Sequence, residues 1–160
     1  TLRAAGVDTN AFVSEQNIVL LDRSAFRRKS LDPDSLLAQY ARLALARPGV
    51  ARVDRFKSVL ADSLKDPISR RWAHQFPPTV NIEMLITLTP YSTWGGNVAS
   101  HGSPYDYDSH VPIIFSGFGI VPGQYNNFVR TVDIAPTLAA LLGVKPAEML
   151  DGRVLSGVLR

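Results

Sequence analysis

The sequence predicts an α/β protein: an α+β unit over residues 11–90, and a segment over residues 91–160 that adds one strand and one helix. Three observations carry this reading. Near the start, two short apolar runs flank a polar turn, and two capped helices then alternate with two strands. At Pro90 the periodic apolar residues give way to a stretch dense in Gly, Ser, Tyr, Asp and His. Patterning returns at Ile113 as an apolar run, followed by a helix with both start and stop signals.

The elements follow in order. Residues 1–10 read as the last turn of a helix belonging to something longer, closed by Gly6. Ala11 to Ser14 and Ile18 to Leu21 read as a hairpin around Glu15-Gln16-Asn17. Asp32 is an N-cap with Pro33 at the first helical position, and Leu36, Leu37, Tyr40, Leu43 and Ala44 follow at helical spacing up to Pro48-Gly49. Val50 to Phe56 alternates like a strand. Asp66-Pro67 opens a second helix carrying Ile68, Trp72 and Phe76, and Ile82 to Leu88 forms the last strand of this unit. The order places the helices on one face of an antiparallel sheet. Beyond the loop, Ile113 to Gly117 reads as a buried strand. Asp133 caps a helix bearing Ile134, Leu138, Leu141 and Leu142, with Gly143 at its end.

Composition excludes several classes. Hydrophobic residues make up 46% of the 160 positions and charged ones 19%, so the chain has enough apolar side chains to fold. No apolar run approaches the ~18 residues of a membrane-spanning helix. The net charge is +3, but the basic residues are scattered. Arg27-Arg28-Lys29 is the only tight run and no stacking aromatics interleave it, which argues against nucleic-acid binding. Cysteine is absent, so disulfides, thiol nucleophiles and zinc-thiolate sites are excluded, and any metal must be held by His and carboxylates. No phosphate-binding Gly-x-x-x-x-Gly-Lys loop and no nucleophile elbow occur.

The chemistry concentrates in the loop His101-Gly102-Ser103-Pro104-Tyr105-Asp106-Tyr107-Asp108-Ser109-His110-Val111-Pro112. Taken alone, His101 is either a metal ligand or a polar side chain of an exposed loop; Gly102 beside it allows close backbone approach. His110, just before the apolar run, is either a hydrogen-bonded structural residue or a ligand. Asp106 and Asp108 fit solvated turns or the positions behind a histidine ligand. Tyr105 and Tyr107 can pack the loop or meet a substrate. Asp133 is an N-cap, His74 a helix-surface residue, and Trp94-Gly95-Gly96 a turn or hinge into the loop.

His101-Gly102-Ser103-Pro104-Tyr105, Tyr107-Asp108, His110-Val111-Pro112 and Ile113-Ile114-Phe115 form one motif, with Gly117 and Gly119 beyond it. Val132 to Leu138 with Leu141-Leu142-Gly143, and the terminal Leu150-Asp151-Gly152-Arg153, follow in a fixed order. Together they resemble the C-terminal segment of the alkaline phosphatase superfamily, in the branch of bacterial alkaline phosphatases and nucleotide pyrophosphatase/phosphodiesterases. The resemblance covers about the last 70 residues of the chain; residues 11–90 match less specifically, as an accessory insertion.

The resemblance implies a three-layer α/β sandwich to which this chain supplies a part. It implies hydrolysis of phosphate monoesters or diesters at a two-zinc site, with a Thr or Ser nucleophile elsewhere. His101 corresponds to the last zinc ligand, and Asp108 and His110 are the candidates to support it. The implied partners are a phosphate ester and the N-terminal remainder of the same enzyme, with export to the periplasm or beyond as the family habit. One imidazole cannot hold a catalytic zinc, so the 160 residues alone are expected to be inactive. Two alternatives stand beside this: an arylsulfatase-type hydrolase of the same superfamily, and a non-catalytic α+β interaction module.

Overall fold

The structure is a computed structural model that describes residues 6–96 and 99–160. The chain divides into two compact units, with the boundary between His110 and Val111. The loop after Pro90 therefore belongs to the first unit.

The first unit is built on a four-stranded antiparallel sheet in the order β1-β2-β4-β3, formed by β1 (Phe12–Glu15), β2 (Ile18–Leu21), β3 (Val50–Arg55) and β4 (Ile82–Leu88). The hairpin closes through Gln16 and Asn17, and Gln16 takes a left-handed φ of +47°. Asn17 ties this turn to the central strand. Its side-chain amide donates to the Ile86 carbonyl at 2.7 Å, and its own carbonyl accepts from the Ile86 N–H at 2.8 Å.

Two helices start where expected. α2 (Pro33–Leu45) is capped by Asp32, whose carboxylate accepts from the N–H groups of Asp34 and Ser35. α4 (Pro67–Gln75) is capped in the same way by Asp66, through Ile68 and Ser69. Two further helices had no clear sequence signal. α1 (Arg23–Arg27) starts from an Asp22 cap, and α3 (Phe56–Asp62) continues directly from β3 with no side-chain cap. Both are short and held by packing, since Phe26, Phe56 and Val59 are buried.

The helices cover both faces of the sheet rather than the one face expected. Val19, Leu21, Met84 and Ile86 pack with Phe26 and Leu37 from α1 and α2. Leu85 packs with Phe56, Val59 and Trp72 from α3 and α4. The cause lies in β4, where Met84, Leu85, Ile86 and Thr87 are all at most 1% exposed. A strand that is apolar on consecutive residues has no face to offer to water, so both must be covered.

Residues 1–5, the expected end of a helix, lie outside the described residues. Gly6 has a left-handed φ of +67°, Val7 is buried, and Thr9–Ala11 make a single 3-10 turn.

The second unit differs from expectation at its start. Val111 to Ser116 forms no strand, and Ile114 is 83% exposed rather than buried. A strand exists only with a hydrogen-bonded neighbour. Among the described residues the second unit offers a single antiparallel bridge, Ile120 to Leu159. The helix and its stop are as expected, since α6 (Ile134–Leu142) ends at Gly143 in the left-handed conformation, φ +62°. Asp133, however, does not cap it: its carboxylate accepts no N–H of the first turn because two N–H groups outside the helix occupy it. Its apolar stripe is not enclosed within this unit, for Leu138 and Leu142 are exposed.

What this unit buries instead is a polar clamp. Asp133 and Thr137 are each at most 1% exposed. The Asp133 carboxylate accepts from the Arg130 N–H and from the Arg153 N–H, both at 2.9 Å. The Thr137 hydroxyl donates to the Asp133 carbonyl at 2.6 Å and accepts from the Leu155 N–H at 3.0 Å. Asp133 thus reaches back from the third position of the Thr131–Asp133 turn to the Arg130 N–H at its N-cap, and fastens the terminal segment. The two backbone N–H groups hold its carboxyl below the ordinary carboxylate range.

Candidate functional site

The loop after β4 and the β1–β2 hairpin turn enclose a cleft of about 240 Å³ in the first unit. His101 lines it and is exposed, and Asp108, Trp94, Tyr91, Tyr105 and Tyr107 share its walls.

The shape of the loop around His101 follows from local chemistry. Gly102 has φ +95°, a conformation that glycine adopts without steric cost, so the chain turns immediately after the histidine. Asp108, on the single helical turn α5 (Asp106–Ser109), closes that turn, with its Oδ2 accepting the Ser103 N–H at 2.6 Å. That bond is the main reason the Asp108 carboxyl sits below the ordinary range; the Gly102 N–H and the His101 imidazole act in the same direction, against partial burial.

Three anchors fix this loop to the sheet unit. The Tyr105 hydroxyl donates to the carbonyl of Leu88 at the end of β4, at 2.6 Å, and burial raises its pKa. Arg71 on α4 donates to the Pro104 carbonyl at 2.8 Å and pairs with the Asp106 carboxylate. The Trp94 indole N–H donates to the Asn17 side-chain oxygen at 3.2 Å. Stacked rings complete the wall, Tyr105 on Tyr107 and Tyr107 on Tyr91.

The structure thus brings His101 and Asp108 into one cleft. His110 does not line it; its side chain is exposed and its N–H donates to the Asp106 carbonyl at 3.0 Å, ending α5. Asp106 points to solvent apart from its Arg71 pair, and His74 is exposed on α4. Sequence reasoning passed over Asn17, Arg71 and Tyr91. Asn17 and Arg71 sit at a hairpin turn and on a helix, far from the loop in sequence, and no spacing links them to it. The exposed donor at His101 with a carboxylate behind its turn suits a divalent metal such as zinc. Among the described residues, no three of His, Cys, Asp and Glu gather as a metal-binding group.

No protein-family model matches the chain. The alkaline phosphatase PhoK of Sphingomonas sp is 48% identical over 87 residues, a match covering 50% of this chain and 16% of PhoK. The alkaline phosphatase PhoV of Synechococcus elongatus is 26% identical over 153 residues, 93% of this chain and 27% of PhoV. The chain therefore matches no more than about a quarter of the length of either relative. The crystal structure of wild-type alkaline phosphatase PafA superimposes with a TM-score of 0.76 at 23% identity, over 99% of this chain and 31% of that one. In sequence and in fold, the chain is alkaline-phosphatase-like.

Proposed function

We propose that the chain is one part of a metal-dependent phosphohydrolase and contributes His101 as a zinc ligand. The observation that supports it best is the placement of His101. An exposed imidazole lies in a cleft, on a turn that Gly102 and Asp108 hold, within a chain related in sequence to alkaline phosphatases. Asp108 would fix the orientation of the His101 turn. The bound metal would supply charge neutralisation for a phosphoryl group. The remaining ligands and a Thr or Ser nucleophile would come from a longer polypeptide, in keeping with the small share of each relative that this chain matches. Its substrates would be phosphate monoesters or diesters, and its place of work the periplasm or the exterior. No described helix is long and apolar enough to cross a membrane.

The test is His101→Ala in the longer gene product. Zinc content should fall by about one ion, and phosphatase kcat/KM by more than the ~10–100-fold typical of residues behind a ligand. Unchanged zinc and activity would overturn the assignment, and activity on an aryl sulfate but not an aryl phosphate would move it to the sulfatase branch. The 160-residue chain by itself should neither hold stoichiometric zinc nor hydrolyse an aryl phosphate.

A further inference from the structure

One wall of the cleft is a column of three tyrosine rings. Tyr105 and Tyr107 lie 16° from parallel with centroids 5.7 Å apart, and Tyr107 and Tyr91 lie 18° from parallel at 4.5 Å. The inner end is anchored by the Tyr105 hydroxyl on the Leu88 carbonyl. The outer end is Tyr91, which is 83% exposed.

Tyr91 is held there at a cost. Its φ is +60°, a left-handed conformation that bulky residues rarely adopt and that persists only when the surroundings impose it. Two sets of contacts impose it. The Tyr91 N–H donates to the Tyr107 hydroxyl at 2.9 Å. The flanking turn is closed by the Ser92 N–H on the Thr89 carbonyl at 3.2 Å, and by their two hydroxyls at 2.7 Å. The Tyr91 ring has one face on Tyr107, most of its remaining surface in water, and His101 in the same cleft.

We propose that Tyr91 is the open end of a stacking platform that receives the planar aromatic group of a phosphate ester, an aryl ring or a nucleobase. A further ring laid on Tyr91 would extend a column whose spacing is already that of offset aromatic stacks. The platform rests on the phosphohydrolase reading above and names the substrate class for the same cleft.

The experiment compares kcat/KM for phenyl phosphate and cyclohexyl phosphate in the longer, metal-loaded polypeptide and its variants. Tyr91→Asn, which tolerates the left-handed backbone, should reduce the preference for phenyl over cyclohexyl phosphate by about 3- to 10-fold, mainly through KM. Tyr91→Phe should retain that preference. Equal losses on both esters, or a Phe variant as impaired as the Asn variant, would overturn the platform while leaving the phosphohydrolase reading intact. A wild-type polypeptide that hydrolyses neither ester would overturn both.

Discussion

Gly152 lies against the backbone of Val132, so closely that a Cβ on Gly152 would come within 2.0 Å of the Val132 carbonyl oxygen. Flexible side chains can yield to such an overlap; a backbone carbonyl cannot. The same contact places the Arg153 N–H on the buried Asp133 carboxylate and the Asp151 carbonyl within 3.0 Å of the Arg130 guanidinium. Gly152 is thus required by close approach rather than by an unusual φ. Gly152→Ala should destabilise the second unit by about 1–3 kcal/mol or more. Amide exchange at Arg153 and Leu155 checks this, and undiminished protection there would contradict it.

Asp108 governs the turn that presents His101. Asp108→Ala removes the acceptor for the Ser103 N–H and should lower zinc affinity and activity of the longer polypeptide by about 10–100-fold. Asp108→Asn keeps an acceptor oxygen and should cost less. The carboxyl's folded-state pKa lies below its ordinary 3.8, so its contribution is complete above that pH and is lost as pH falls through the lowered value. Chemical shifts of Gly102 and Ser103 followed through an acid titration report it directly.

Acid should also weaken α4. The Asp66 carboxyl is held at about 2, first by the Ser69 hydroxyl, then by the Arg52 guanidinium and the Ser69 N–H. Because that value is depressed, the stabilisation is present above the ordinary 3.8 and disappears as pH falls toward 2. Asp66→Ala should cost about 1–2 kcal/mol at neutral pH, the worth of an N-cap. Denaturant unfolding of wild type and variant should converge as the pH is lowered.

Beneath α4, the Trp72 indole donates to the Thr87 hydroxyl at 2.9 Å, with both residues at most 1% exposed. Trp72→Phe leaves that hydroxyl without its donor and should cost about 1–3 kcal/mol. Adding Thr87→Val should recover part of the loss, and a double-mutant cycle in denaturant measures the coupling. Strict additivity would mean that the hydrogen bond contributes nothing.

Much of the first unit was legible because its signals are local. Asp32-Pro33 and Asp66-Pro67 announce helices, since the cap oxygen satisfies N–H groups only two or three residues away. The Gln16-Asn17 turn announces a hairpin for the same reason. His101 was singled out by its glycine and its motif, again within a few residues. Phe56–Asp62 was not legible as a helix, because it has no cap and forms by packing on β4 and α4. Ile113 to Gly117 looked like a buried strand because five residues can show an apolar run, whereas pairing requires a neighbour that no local pattern supplies.

The sequence by itself determined where α2, α4 and the hairpin turn begin, and that a chain without cysteine offers a metal only His and carboxylate side chains; it also singled out one loop as the candidate site. Only the tertiary structure decided that both faces of the sheet are covered and that Asp133 fastens the terminal segment. It alone also aligned Tyr91, Tyr107 and Tyr105 beside His101. The division has a physical cause. Caps and turns are satisfied by atoms a few residues away, but a buried carboxylate, a central strand and a stacked ring are satisfied by partners that only the folded chain brings near.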